Sequence, residues 1–396
     1  MRRIYLDHTA TTPLDPRVRE AMEPYFSELF GNASSAHSYG RQAKSALEKA
    51  RAALARCVGA EPGELFFTSG GTESDNLALV GAARSAKANG RTHLVTSRGE
   101  HHAVLDTCEA LQSEGFTLSL AGLDEHGKVS PEQIRALAGN TTSVVSIMHA
   151  NNEVGTVNAV DAIASAAHSS GALVHTDAVQ SVGKIPVNVR DLGVDLMTFT
   201  AHKLYGPKGI GALYVRRGTG LDPLFHGGGQ ERGKRPGTEN VALAVGFAAA
   251  VEIACSSMKE ESARLAALRD ALEAAIKARF PYVMINGHPS DRLPHILNMS
   301  VDSRKMPMEG EMLVMNMDLK GIAVTSGSAC TSGSIQPSHV LLAMGRDPET
   351  ARATIRFSFG RSNTEEDIGY VVENLGEVFG QMAGDKMNTE PFGSSR

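Results

Sequence analysis

A chain of 396 residues, 42% apolar and 21% charged, has ordinary globular composition and room for about two domains of roughly 150 residues each. Its 39 basic and 44 acidic residues leave a net charge of −5, which gives no bulk electrostatic case for nucleic acid. Four cysteines without a Cys-x-x-Cys pair argue against a disulfide scaffold or a structural zinc site. No run is expected to reach the ~18 apolar residues of a membrane span, and MRRIYLDHTATTP breaks before a secretory stretch can form. The expected setting is a reducing cytoplasm.

The first turn-rich stretch leads into a predicted helix over 16–28 and an Ala/Lys/Arg-rich amphipathic helix over 40–57. Short apolar runs then alternate with helical patterns: strand 65–68, helix 73–88, strand 93–97, helix 103–114. Strands follow at 116–120, 144–148, 173–175, 196–200 and 211–215, with helices at 131–138 and 160–169 among them. Such alternation predicts an α/β fold with a mostly parallel central sheet. After Arg235-Pro236-Gly237-Thr238, alanine-rich residues 240–278 read as a long helical pair. A strand at 296–301, a methionine-rich helix at 309–320, a turn region at 325–333, a strand at 355–359 and a last helix from Thr364 complete the chain. The final dozen residues are expected to fray.

Several of these junctions carry chemistry. Phe66-Phe67-Thr68-Ser69-Gly70-Gly71-Thr72-Glu73 runs from an apolar strand through two glycines into a helix, where free amides suit an anion. On its own this segment is a phosphate cradle or a plain strand–helix turn. It matches neither the dinucleotide nor the triphosphate pattern. Four later segments place polar groups beside apolar strands: His101-His102, Asn151-Asn152-Glu153, His175 to Gln180, and Thr200 to Lys203. Lys203 can form an imine with an aldehyde cofactor once its pKa is lowered. Asp177 can pair with a ring nitrogen, His101 can stack on the ring, and Asn152 and Gln180 can reach its oxygen. Spacing alone leaves cofactors other than pyridoxal phosphate open. Thr325 to Ser334 is a small-residue loop around Cys330, whereas Cys57, Cys108 and Cys255 fall in helical patterns and read as small buried hydrophobes. Exposure would suit Cys330 to reactivity.

With these residues assembled, the chain resembles the cysteine desulfurases of the class V aminotransferase fold, the branch serving nitrogenase and housekeeping iron–sulfur assembly. The likeness runs from Tyr5-Leu6-Asp7-His8 to about Asp367. It is most specific in Ala201-His202-Lys203-Leu204-Tyr205-Gly206-Pro207-Lys208-Gly209 and Ser326-Gly327-Ser328-Ala329-Cys330-Thr331-Ser332. The resemblance implies a fold-type-I pyridoxal-phosphate enzyme. Its large domain, with the mostly parallel sheet, would span 16–259; a smaller α/β domain would comprise 1–15 and 260–396. It implies Lys203 as the imine-forming lysine, His101 on the ring, Asp177 at its nitrogen, and Asn152 and Gln180 near its hydroxyl. Gly71, Thr72, Thr200 and His202 would surround the phosphate, Thr200 standing where many relatives have serine. Thr238 would reach the partner's cofactor in an obligate homodimer; Arg356 and Asn32 would hold the substrate carboxylate.

The implied reaction removes sulfur from L-cysteine, giving L-alanine and a Cys330 persulfide destined for an iron–sulfur scaffold protein. No stable metal site is implied, although the Cys330 persulfide would approach a nascent cluster transiently. A selenocysteine lyase or an aminotransferase of the same fold is the alternative. The ending Met387 to Arg396 lacks the familiar scaffold-engaging segment, which tilts the expectation toward a nitrogenase-dedicated system.

Overall fold

The computed structural model describes residues 2–308, 310–327 and 336–387. After β1 (Ile4–Tyr5), the helix expected over 16–28 is two: α1 (Pro16–Met22) and α2 (Pro24–Ser27). Pro24 supplies no amide proton to continue α1, and it suits the first turn of a new helix. In α3 (Ser38–Val58), His37 Nδ1 accepts from the Gly40 amide, and Gly59 ends the helix at φ +70°.

Strands and helices then alternate as β2 (Leu65–Thr68), α4 (Gly71–Lys87), β3 (His93–Ser97), α5 (His102–Gln112), β4 (Thr117–Ala121) and α6 (Pro131–Leu137). They continue as β5 (Thr142–Ser146), α7 (Val160–His168), β6 (Leu173–Asp177), β7 (Leu196–Thr200) and β8 (Gly211–Val215). These strands form one sheet in the order β2-β8-β7-β6-β5-β3-β4. Only β8 runs antiparallel to its neighbours. Adjacent residues serve opposite faces, as strand geometry requires: Phe67, Val95 and Val145 join a core with α3, α7 and α8, while Phe66, Leu94 and Val144 pack with α4 and α5. Helices on both faces explain why β2, β5, β7 and β8 are buried throughout.

The stretch expected as a helical pair is one helix, α8 (Val241–Arg279), 39 residues long. Its interior has no proline and a single glycine, Gly246, so nothing breaks the alanine- and leucine-rich run. Against expectation, α8 is long and apolar enough by composition to cross a membrane. Its apolar first half instead packs against α1 and α3, which argues against an integral membrane location. Its second half joins another core through Leu265, Leu268, Leu272 and Ile276. That core belongs to β9 (Val283–Asn286), β10 (Ile296–Val301), α9 (Gly310–Leu319) and β11 (Ile322–Ala323), followed by α10 (His339–Ala343) and α11 (Pro348–Arg352), then β12 (Thr354–Ser358) and α12 (Glu365–Met387). β9, β10 and β12 form an antiparallel sheet, and β11 pairs in parallel with β1, bringing the N-terminus to this part of the molecule.

The cysteines require a further correction. Cys57 and Cys255, expected as separate buried thiols, form a disulfide joining α3 to α8. The two helices lie side by side and bring their Cα atoms to 6.5 Å, a proximity hidden by 198 residues of separation. Cys108 is a buried free thiol whose pKa desolvation pushes up to about 12, consistent with the inert role expected of it.

Candidate active site

The sheet's loops supply most of the site. β2 passes through Ser69 and Gly70 into α4, whose start has no side-chain cap, leaving amides of its first turn for an incoming anion. A Cβ on Gly71 would lie 3.1 Å from Val179 Cγ2, so glycine suits this crowded turn. Beyond β3, His101 caps α5: its Nδ1 accepts from the Ala103 amide at 3.1 Å, which places a neutral ring's proton on Nε2. Partial desolvation lowers its pKa, keeping that neutral form available.

At the end of β6, Asp177 is 7% exposed and its Oδ1 accepts from the Val179 amide at 2.8 Å. Desolvation raises its pKa, while the Val179 bond, His101 and Lys203 oppose the rise. β7 ends in the tight turn Ala201–Lys203. Lys203 Nζ donates to the Thr9 and Ala10 carbonyls at 2.5 and 2.8 Å. Burial lowers its pKa to about 8, with Arg356 adding to the effect and Asp177 and Asp7 opposing it.

Lys203, His101, Gly71, Thr72, Asn152, Asp177, Gln180, Thr200, His202 and Arg356 all line one cavity of about 400 Å³. Arg356 enters from β12; its Nη1 donates to the Asn152 carbonyl and its Nη2 to Asp7. Gln180 Nε2 donates to the Thr9 carbonyl at 3.2 Å. Thr200 lines the cavity, but its hydroxyl donates to the Ile210 carbonyl, so that proton is committed elsewhere. Asn32 and Thr238 do not join this group. Asn32 is exposed, with its Oδ1 accepting from the Ser34 amide, and Thr238 lies on an exposed loop beside Ser69. Cys330 lies outside the described residues; the described chain preceding it, Thr325 and Gly327, forms part of the cavity wall.

Two buried carboxylates escaped the sequence reading. Asp75, 1% exposed, lines the cavity from α4 and has an Oδ1 without a hydrogen-bond partner. Its place three residues beyond Thr72, still in the helix's opening turns, was the available signal. Glu100, fully buried beside His101, accepts from Ser97 Oγ and the Met148 amide. Desolvation raises its pKa to about 8.

This arrangement fits pyridoxal phosphate. Uncapped amides and Thr72, the Asp177 carboxylate and the Lys203 amine all belong to one cavity, a donor set suited to a phosphate, a pyridine nitrogen and an aldehyde. Fold and site thus define a pyridoxal-phosphate enzyme of the aminotransferase type. The model for the family "Aminotransferase class-V" matches residues 4–371. The chain is 46% identical to the cysteine desulfurase IscS of Dictyoglomus turgidum, over 95% of this chain and 94% of that protein. Among solved structures, a NifS-like protein superposes with a TM-score of 0.89 at 38% identity, covering 96% of this chain and all of that one. The protein SspA, solved in complex with cysteine, gives 0.78 at 35% identity, covering 90% of this chain and 98% of that one. The chain belongs to the IscS-like cysteine desulfurase family.

Proposed function

We propose that this chain removes the sulfur of L-cysteine, releases L-alanine and holds the sulfur as a persulfide on Cys330. The observation that carries this reading is the convergence of Lys203, Asp177 and Arg356 on one cavity whose wall leads into the segment bearing Cys330. Cys330 follows Gly327 by three residues, at most about 11 Å of extended chain. Bound here, the cofactor supplies an electron sink that weakens bonds at the substrate's α and β carbons.

The protein's own groups divide the remaining work. Lys203 holds the cofactor and, when free, moves the substrate α-proton; its depressed pKa keeps the neutral amine accessible near neutral pH. With the cofactor bound, Asp177 would pair with the ring nitrogen, and His101 would hold the ring and relay a proton at the substrate thiol. Asn152 and Gln180 would orient the ring oxygen. Gly71 and Thr72, with Thr200 and His202, would hold the phosphate. Arg356 binds the substrate carboxylate. The Cys330 thiolate then bonds to the substrate sulfur as the carbon–sulfur bond breaks. The carbon retains that electron pair and, once protonated, becomes the methyl group of alanine.

The wider reading is a cytoplasmic homodimer in which Thr238 reaches the partner's cofactor, with a domain division near residue 259. The sulfur acceptor is an iron–sulfur scaffold protein, approached by the Cys330 persulfide. The test is alanine formed per chain in one turnover with L-cysteine, comparing the native protein with Cys330→Ala. One alanine per chain, lost in the variant, is expected. Equal alanine from both would remove Cys330 as the sulfur acceptor.

A further inference from the structure

The turn spanning residues 7–10 touches two charged groups of the cavity. Asp7 Oδ1 accepts from Arg356 Nη2 at 2.9 Å, while the Thr9 and Ala10 carbonyls accept from Lys203 Nζ. Asp7 is itself fixed. It follows β1, bridges to Ser358, and its carbonyl accepts from the Ala10 amide and the Tyr5 hydroxyl. Arg356 is 5% exposed, with Nη1 committed to the Asn152 carbonyl and Nη2 to Asp7. Its Nε is buried without a partner, although the side chain lines the cavity. A guanidinium held at two points on the wall of a cavity is a ready partner for an anionic acceptor entering it.

We propose that Asp7 is a positioning residue: it holds the Arg356 guanidinium in place for the α-carboxylate of the amino-acid substrate, and its charge offsets that of Arg356 at Lys203. The identity of that carboxylate rests on the desulfurase reading; the charge balance at Lys203 does not. The groups facing Lys203 are Arg356 from β12, Asp177 from β6, Asp7 from the N-terminal turn, His101 at the start of α5 and His202 in its own turn. Arg356 disfavours the lysine's charge, whereas Asp177 and Asp7 favour it. Neutralising Asp7 therefore leaves the guanidinium less balanced and less well oriented. The same turn thereby links carboxylate recognition to the readiness of the amine.

Asp7→Asn tests both parts, with Asp7→Ser as the second variant and thermal unfolding as the check on folding. For L-cysteine, KM is expected to rise about tenfold and kcat to change less than about twofold, the signature of lost uniform binding. In the cofactor-free protein, Lys203 should react about threefold faster with an amine-selective acylating reagent at pH 7, read by peptide mass spectrometry. That corresponds to roughly half a pKa unit. In an Arg356→Lys background, Asp7→Asn should add less than about twofold to KM, because Asp7 acts through Arg356. Unchanged KM and labelling, or a full tenfold effect persisting in Arg356→Lys, would overturn the proposal. Labelling needs neither substrate nor turnover, so it separates the two readings. Failure of the native protein to form alanine sinks the desulfurase reading alone, whereas normal alanine with no Asp7 effect sinks the positioning role alone.

Discussion

The two walls of the cavity are built in different ways. On the sheet side, contacts are local: Asp177 holds the amide two residues on, His101 does the same, and Ser97 donates to Glu100 three residues away. On the opposite side, the chain's distant parts are stitched together. Asp7 and Arg356 are 349 residues apart, and Lys203 and Ala10 are 193 apart. Local turns form wherever the strand ends, so Asp177 and His101 are fixed by short-range contacts, while Gln180, which reaches Thr9 171 residues away, already belongs to the stitched set. The carboxylate-binding side requires β1 to pair with β11, and Arg356 to emerge from a separate sheet. Cofactor handling and substrate recognition thus depend on different sorts of folding information, and perturbations should separate them.

The largest expected effect falls where the walls meet. Lys203→Ala should lower turnover by at least about a thousandfold, within the range associated with a positioned proton-transfer group, and leave thermal unfolding nearly unchanged. Next in size is a long-range stitch outside the cavity. Arg51 and Glu231, with side chains 3% and 2% exposed, form a bidentate pair that also binds the Leu65 carbonyl and Phe67 amide of β2. Arg51→Met strands a buried carboxylate and should cost about 3–5 kcal/mol in urea unfolding. A third test returns to the stitched side: a Cβ on Gly360 would overlap the buried His8 ring. Gly360→Ala should cost about 1–3 kcal/mol, seen as a lower thermal midpoint.

The last test belongs to the local wall, where the effect is smallest in acid and grows with pH. Glu100 keeps its proton up to about pH 8 in the folded protein, against an ordinary value of 4.5. Between those values folding takes up a proton, so this group's contribution to stability falls as pH rises and levels off above pH 8. Glu100→Gln mimics the neutral acid. It should change stability near pH 4.5 by less than about 1 kcal/mol, flatten the decline in urea midpoint from pH 5 to 8, and so leave the variant the more stable protein at pH 7. A variant that follows the native pH dependence would remove Glu100 as its source.

Legibility in the sequence follows the same divide. β2, β3, β7, β8 and β10 were read to the residue, because continuous apolar runs between turn signals mark buried strands without tertiary information. The ends of β3, β6 and β7 yielded His101, Asp177 and Lys203, all now found on the cavity. The two-residue strands β1 and β11 were missed, since neither carries a pattern apart from its partner. Asp75 was missed because an acid in an amphipathic helix ordinarily faces water, and only the sheet packed against α4 buries it. The Cys57–Cys255 contact depends on the packing of two helices 198 residues apart, which no local signal encodes. Arg356 came from family resemblance rather than periodicity, and its partner Asp7 emerged only from the structure.

The measurement that tests the central claim most directly is the location of sulfur after one equivalent of L-cysteine meets the cofactor-loaded protein. Peptide mass spectrometry under non-reducing conditions should find one added sulfur on the peptide containing Cys330, matched by an equal amount of alanine in solution. Alanine formed with the Cys330 peptide unmodified, the sulfur appearing as elemental sulfur or on another residue, would contradict the account.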